Sequence, residues 1–307
     1  MTIQNFKEQA VHSLKKSLSP QLDVNVLLQF ALNLSKTQIL LNKNEEIPEE
    51  KLNWLNHSIE LRKKGLPVAY ITGHKEFFGY DFLVSPSVLI PKPDTEILVE
   101  KALDFVIEKM ENHENSILNI CDMCTGSGCI GISVLKSLIE NYKIPFEKLP
   151  KFTLVDISDS ALEIASKNLE KLIPEFAKSR IRFVRSNLFE MVPLKFDLIF
   201  TNPPYVPSFM VDELLKDGRN EPRLALDGDV TENGENSFSE DGLSLIRRLI
   251  PQAKEHLSPL GTMIMETGEY NAVLAKNIAE SYDLKTELYQ DLESQFRGFI
   301  CYKKNLS

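Results

Sequence analysis

Ile117-Leu118-Asn119-Ile120-Cys121-Asp122-Met123-Cys124-Thr125-Gly126-Ser127-Gly128 is an apolar run entering a glycine-containing turn, and Ile130, Ile132, Val134, Leu135 and Leu138 follow at the spacing of a buried helix. The stretch reads as strand, tight turn, helix, with the strand over Ile117–Cys121. Glycine in such a turn lets the backbone approach a ligand closely, and the helix amino terminus offers unpaired N–H groups. Further apolar runs at Phe152–Val155, Ile181–Val184, Asp197–Phe200 and Gly261–Glu266 alternate with helical patterns. This alternation predicts an α/β fold, a mostly parallel sheet with helices on both faces. Ligands of such sheets bind beyond the carboxyl ends of the strands, where Gly126, Asp156 and Asn202 all fall.

Two of those strand ends carry recognisable chemistry. The Asp156 carboxylate can accept both hydroxyls of a ribose, as strand-end acids do in nucleoside-binding α/β folds. Asn202-Pro203-Pro204-Tyr205 follows the run Phe196-Asp197-Leu198-Ile199-Phe200. Two prolines fix two successive φ angles and hold the preceding Asn extended, which makes a rigid ledge. A planar NH2 group donates two hydrogens; the Asn202 side-chain oxygen can take one, a proline carbonyl the other, and Tyr205 can pack on the flat face.

With three further stretches the chain resembles the class I S-adenosylmethionine-dependent methyltransferases of the HemK/PrmC type, which methylate the glutamine side-chain nitrogen (N5) of peptide chain release factors. These are Pro67-Val68-Ala69-Tyr70-Ile71-Thr72-Gly73 with Phe77-Phe78-Gly79, then Val88-Leu89-Ile90-Pro91-Lys92-Pro93-Asp94-Thr95-Glu96, then Glu221-Pro222-Arg223-Leu224-Ala225-Leu226. The resemblance runs from about residue 20 to the carboxyl end. It implies a Rossmann-like sheet closed by a carboxyl-terminal antiparallel hairpin, S-adenosyl-L-methionine as cofactor, and release factors as protein substrates whose methylation modulates translation termination. By position it puts Cys124, Thr125, Gly126, Ser127 and Gly128 against the methionine part of the cofactor, Asp156 on the ribose, and Asn187 and Leu188 near the adenine. Asn202, Pro203, Pro204 and Tyr205 then form the catalytic ledge, with Asn202 also beside the cofactor. The chain departs from the family at two places: Cys124 stands where glycine is usual, and Asn187 where an acidic residue is common.

Outside this centre, residues 1–73 read as a small helical bundle, either a docking module for the substrate protein or a structural cap. Ser19-Pro20 is an N-cap followed by a helix-starting proline, and Leu22, Val26, Leu27, Phe30, Ala31 and Leu34 fall on one face; a second helix after Pro48 turns Leu52, Leu55 and Ile59 inward. Residues 74–92 read as a β-hairpin connector with its turn at Gly79-Tyr80. The methyltransferase domain spans 93–307; it opens on a helix carrying Ile97, Leu98, Phe105 and Val106 on one face and ends on strands around Leu284–Tyr289 and Phe299–Tyr302. The acidic stretch Asp227–Gly242 has the composition of a mobile surface loop.

The chain has 307 residues, 43% of them hydrophobic, and a formal charge of −9. A positive field is what phosphate neutralisation demands, so stable nucleic-acid binding is not expected. The basic clusters Arg62-Lys63-Lys64, Lys178 with Arg180, Arg182 and Arg185, and Arg247-Arg248 read as solvated faces. No apolar run approaches the roughly 20 residues of a membrane span, and Met1 to Leu18 lacks a signal-peptide core, so a cytoplasmic protein is expected. Cys121-x-x-Cys124 has no partner pair and the five histidines are scattered, so these cysteines read as packing around the turn and no metal site is expected. The same ledge chemistry serves enzymes that methylate a ribosomal-protein glutamine or an exocyclic amine of a nucleic-acid base, and Cys124 leaves room for a non-catalytic binding protein that kept the fold; these readings stay open at this point.

Overall fold

A computed structural model describes residues 1–112, 117–216, 221–231, 235, 237, 239–291 and 293–303. The chain divides into two units, residues 1–74 with 213–220 and residues 75–212 with 221–307.

In the first unit, helices Ile3–Ser13, Pro20–Leu32, Lys36–Leu41, Glu49–Lys63 and Val68–Thr72 enclose a core that includes Phe6, Val24, Leu27, Leu28, Leu55 and Ile59. Pro20 takes the first helical position as expected, although the Ser19 side chain makes no capping hydrogen bond. The inward face of this helix differs from the sequence reading: Leu22 is 62% and Phe30 45% exposed. The cause is Asp23, which turns inward to meet Arg62 at 2.7 Å and the Ser17 hydroxyl at 2.6 Å. The inward arc is thereby centred on residues 23, 24, 27 and 28.

The chain passes into the second unit along a hairpin of β1 (His74–Phe77) and β2 (Tyr80–Leu83). Its turn is Phe78-Gly79, one residue earlier than the sequence suggested. Both residues are left-handed, φ 52° and 76°, the geometry that matches the twist of a two-residue hairpin. The hairpin is packed and not a free connector: Phe77 and Phe82 meet edge to face at 6.1 Å within the larger core. The buried Asn168 side chain accepts the Leu83 N–H at 2.7 Å and donates to the Leu83 carbonyl at 3.0 Å.

Seven strands form the sheet: β3 (Asn119–Met123), β4 (Lys151–Asp156), β5 (Ile181–Arg185), β6 (Phe196–Thr201), β7 (Leu257–Glu266), β8 (Leu284–Gln290) and β9 (Phe296–Lys303). Their order is β5-β4-β3-β6-β7-β9-β8. The first five are parallel, and β9 pairs antiparallel with both β7 and β8, which is the expected Rossmann-like sheet closed by an antiparallel hairpin. The first strand begins two residues later than predicted and runs to Met123, ending where Cys124 turns left-handed. Alternate residues feed two cores, one on each face of the sheet. Ile120, Leu198, Phe200 and Ile264 lie in one, Cys121, Met123, Ile199 and Met263 in the other.

The acidic stretch corrects the sequence reading at Asp227 and Asp229, whereas Glu235 and Glu240 are exposed as expected. Asp227 is 2% exposed and Asp229 is fully buried. Asp227 accepts from the Ser208 hydroxyl at 2.7 Å and the Asp229 N–H at 3.0 Å, while Asp229 accepts from the Gly242 N–H at 2.9 Å and the Ser239 hydroxyl. Composition misled because these acids answer N–H and O–H groups rather than water. Residues 232–234, 236 and 238 of the stretch lie outside the described residues. Among the described residues no helix is long and apolar enough to cross a membrane.

Candidate active site

Sheet register sets Met123 level with Val155 on one side and Thr201 on the other, and Thr201 level with Met265. The next residues, Asp156, Cys124, Asn202 and Glu266, therefore form a row across the carboxyl edge of the sheet. The strand order reverses between β3 and β6, the position where a doubly wound sheet opens its ligand crevice. The Thr201 hydroxyl, donating to the Met123 carbonyl at 2.7 Å, pins the two strand ends together there.

The turn after β3 is built by short-range bonds. Asp122 Oδ2 accepts the Thr125 hydroxyl at 2.7 Å and the Gly131 N–H at 3.0 Å, which bends the chain from strand into helix. Burial pushes the Asp122 carboxyl up to about 7. Cys124 sits at φ 61°, a region L-residues enter at a cost of roughly 1–2 kcal/mol. Burial, and after it the Asp156 carboxylate, push its thiol well above the usual range, so Cys124 stays protonated. Gly128 begins the helix Cys129–Glu140 at φ 77°; a β-carbon there would stand 2.8 Å from Ile132 Cδ1. Asn168 ties the turn to the hairpin by donating to the Ser127 carbonyl at 2.9 Å.

Asp156 closes the turn from the neighbouring strand. Its Oδ2 accepts the Gly126 N–H at 2.9 Å and its Oδ1 the Ser158 N–H at 3.0 Å. Burial raises its carboxyl, and these backbone N–H groups pull it back down. Each oxygen keeps lone-pair capacity for a further donor. Asn187 donates to Glu190 at 2.8 Å, and Leu188 takes φ 51°.

The ledge leaves β6 at Asn202, whose Nδ2 donates to the Thr95 hydroxyl oxygen at 3.3 Å. Thr95 donates in turn to Glu266 Oε1 at 3.1 Å, and the Tyr205 hydroxyl reaches the same oxygen at 3.3 Å. Burial pushes the Glu266 carboxyl up to about 7, while the bonds from Thr95 and Tyr205 and the Arg297 charge pull it down. Asn271 Nδ2 donates to the Tyr205 carbonyl at 3.0 Å, and the next residue, Val206, pairs with Asp227 of the acidic stretch.

One cavity of about 470 Å³ adjoins the turn after β3, Asp156, Asn187 with Leu188, Thr95 and the start of the ledge, within the 300–1,000 Å³ of small-molecule sites. Of the residues singled out from the sequence, Cys124, Thr125, Gly126, Ser127, Asp156, Asn187, Leu188, Asn202 and Pro204 line it. Gly128, Pro203 and Tyr205 do not. Gly128 faces its own helix, Pro203 is buried, and the Tyr205 hydroxyl is drawn to Glu266 rather than leaving the ring free to stack in the cavity. The stretches around Lys92 and Glu221 meet at a 2.7 Å ion pair, with Glu221 also accepting the Ile90 N–H at 3.3 Å. Sequence reasoning missed Thr95, Asn168, Arg248, Glu266 and Asn271. Glu266 could have been found, because like Asp156 it is an acid ending a buried strand. Arg248 lines the cavity, and its Nε is buried with no hydrogen-bond partner among the described residues.

Residues 7–73 match the family model described as the PrmC N-terminal domain and residues 97–219 that of the methyltransferase small domain. A release factor glutamine methyltransferase of Leptospira interrogans is 37% identical over 292 residues, covering 93% of this chain and 92% of the relative. One from Haemophilus influenzae is 35% identical over 275 residues, covering 86% and 87%. Among solved structures, the catalytic domain of hMettl16 in complex with an RNA hairpin superposes with a TM-score of 0.52 at 14% identity over 84% of each chain, a likeness of fold alone.

Proposed function

The chain belongs to the release factor glutamine methyltransferase family, and on that premise we propose that it transfers a methyl group from S-adenosylmethionine to the side-chain amide nitrogen of a glutamine in a peptide chain release factor. The observation that carries this reading is Asn202: its amide nitrogen is engaged by Thr95 while the residue lines the same cavity as Asp156 and the Cys124–Gly128 turn.

The residues present fit the cofactor. Asp156 has acceptor capacity for ribose hydroxyls, and the cavity walls at Asn187 and Leu188 suit the adenine. The turn from Cys124 to Gly128 backs the methionine part, and the unpartnered Arg248 Nε suits its carboxylate. When bound, S-adenosylmethionine supplies a methyl group activated by its sulfonium charge. A glutamine nitrogen is a poor nucleophile because its lone pair is delocalised into the carbonyl. Asn202 Oδ1 and a carbonyl of Pro203 or Pro204 accept its two hydrogens, which orients the nitrogen and draws electron density toward it, and one of the two leaves as a proton as the nitrogen takes the methyl group. Tyr205 anchors the ledge through Glu266. Holding two reactants in attack geometry is worth roughly 7–11 kcal/mol.

In this reading residues 1–73 dock the substrate protein, 74–92 connect, and 93–307 carry the chemistry in the cytoplasm. Several of the basic side chains already have partners: Lys178 meets Glu170 and Glu175, Arg185 meets Asp159 and Arg247 meets Asp241. That favours a protein over a nucleic-acid substrate.

The test is to offer labelled S-adenosylmethionine with separate pools of release factor, ribosomal protein and nucleic acid. Label is expected on a release-factor glutamine by mass spectrometry, and its appearance on RNA or DNA alone would overturn the reading. Asn202→Ala is expected to lower transfer by roughly 10²–10³ while cofactor affinity holds.

A further inference from the structure

Resting on the reading of Asn202 as the group that grips the acceptor nitrogen, we infer that Glu266, acting through Thr95, is a positioning residue that sets which end of the Asn202 amide faces the acceptor. An asparagine side chain presents an acceptor oxygen and a donor NH2 of nearly the same size. Only the oxygen can hold an amide NH2; a flipped Asn202 sets donor against donor. Nothing within asparagine makes that choice.

The chain of contacts behind it does. Glu266 Oε1 takes the hydroxyls of Thr95 at 3.1 Å and Tyr205 at 3.3 Å. A carboxylate oxygen accepts and cannot donate. The single Thr95 hydroxyl hydrogen is therefore committed to Glu266, which leaves only lone pairs for Asn202 at 3.3 Å. Those lone pairs require Nδ2 from Asn202, and Oδ1 is left to accept the substrate's hydrogen. Glu266 Oε2 is buried with no hydrogen-bond partner among the described residues, so a proton taken up there leaves Oε1 an acceptor and the polarity unchanged. Thr95 and Glu266 are 2% and 3% exposed, so bulk water does not compete with the relay. A glutamine at 266 offers a donor end as well as an acceptor end and would lose the direction.

The experiment compares wild type, Thr95→Val and Thr95→Ser at saturating S-adenosylmethionine and release factor. It also follows the Asn202 side-chain amide in 15N-labelled protein, assigned by its disappearance in Asn202→Ala. Thr95→Val is expected to lower kcat about ten- to a hundredfold with cofactor affinity within about twofold, as expected for lost orientation of a transition-state contact. The Asn202 amide hydrogen protected from solvent exchange in wild type becomes exchangeable in this variant, and Thr95→Ser restores both properties. Wild-type kcat and a protected Asn202 hydrogen in Thr95→Val, or a Thr95→Ser as slow as the valine variant, overturn the relay. A wild type that methylates no release factor, yet shows the exchange pattern, brings down the functional reading and leaves the relay standing. Should Thr95→Val not fold, Glu266→Gln replaces it: two Asn202 amide orientations and a reduced kcat support the relay, and one protected signal with full kcat overturns it.

Discussion

A β-carbon on Gly242 would stand 2.8 Å from the carbonyl carbon of Tyr205, so the end of the acidic stretch and the end of the Asn-Pro-Pro-Tyr ledge are in backbone contact. Gly228, at the other end of that stretch, would meet Tyr205 Cα at 2.8 Å. The ledge is gripped from behind by the residues that composition alone assigned to a loop.

Gly242→Ala is therefore expected to destabilise the protein and lower activity together. Alanine at φ 74° costs about 1–2 kcal/mol, and crowding against fixed backbone about 1–3 more. Urea unfolding reads the first effect and methyl transfer the second. A variant matching wild type in both would show that the contact yields without consequence.

Asp156→Ala should weaken S-adenosylmethionine binding by about 1.5–3 kcal/mol, the scale of a lost charge-assisted hydrogen-bond pair. The same change frees the N–H groups of Gly126 and Ser158, so a modest loss of stability accompanies it. Titration calorimetry giving unchanged affinity would remove Asp156 from the cofactor site.

Cys124→Gly should fold and keep cofactor binding. Glycine relieves the left-handed strain of roughly 1–2 kcal/mol, while its freer unfolded chain returns about 0.5–1 kcal/mol of that gain. Stability within about 1 kcal/mol of wild type or slightly above it is the expected result. A large loss of affinity would instead give the Cys124 side chain a ligand contact of its own.

Stability should also carry the signature of Glu266. Its folded value of about 7 lies above the ordinary 4.5, because burial and the Asp94 carboxylate outweigh Thr95, Tyr205 and Arg297. The folded state thus binds this proton more tightly than the unfolded chain. Its contribution is complete below about pH 4.5 and is lost as pH rises through about 7. Relative to Glu266→Gln, wild type should lose up to roughly 3 kcal/mol between pH 5 and 8. Urea midpoints that differ between the two proteins by the same amount at pH 5 and pH 8 would contradict the assignment.

What could be read from sequence was what is written locally. The Cys124–Gly128 turn, Asp156 and Asn202 are each announced by the strand just before them, and the sheet then sets them in register. Thr95 sat in a stretch already singled out, yet its partners are 107 and 171 positions away, and no local pattern joins them. Leu22 and Phe30 were given the wrong face because helical spacing has no term for a part-buried ion pair such as Asp23–Arg62. Asp227 and Asp229 were assigned to solvent for the same reason: acids look exposed until the N–H groups they answer are known.

The separation of Thr95 from Glu266 has a consequence for how the protein comes into being. During synthesis Thr95 and the Asn202 ledge leave the ribosome well before Glu266, and long-range strand pairing is the slow part of folding. Until β7 has emerged and docked beside β6, Asn202 has neither the Thr95–Glu266 relay nor the Tyr205 anchor behind it. A nascent chain can assemble the Cys124–Gly128 turn early, but the support behind Asn202 waits for β7.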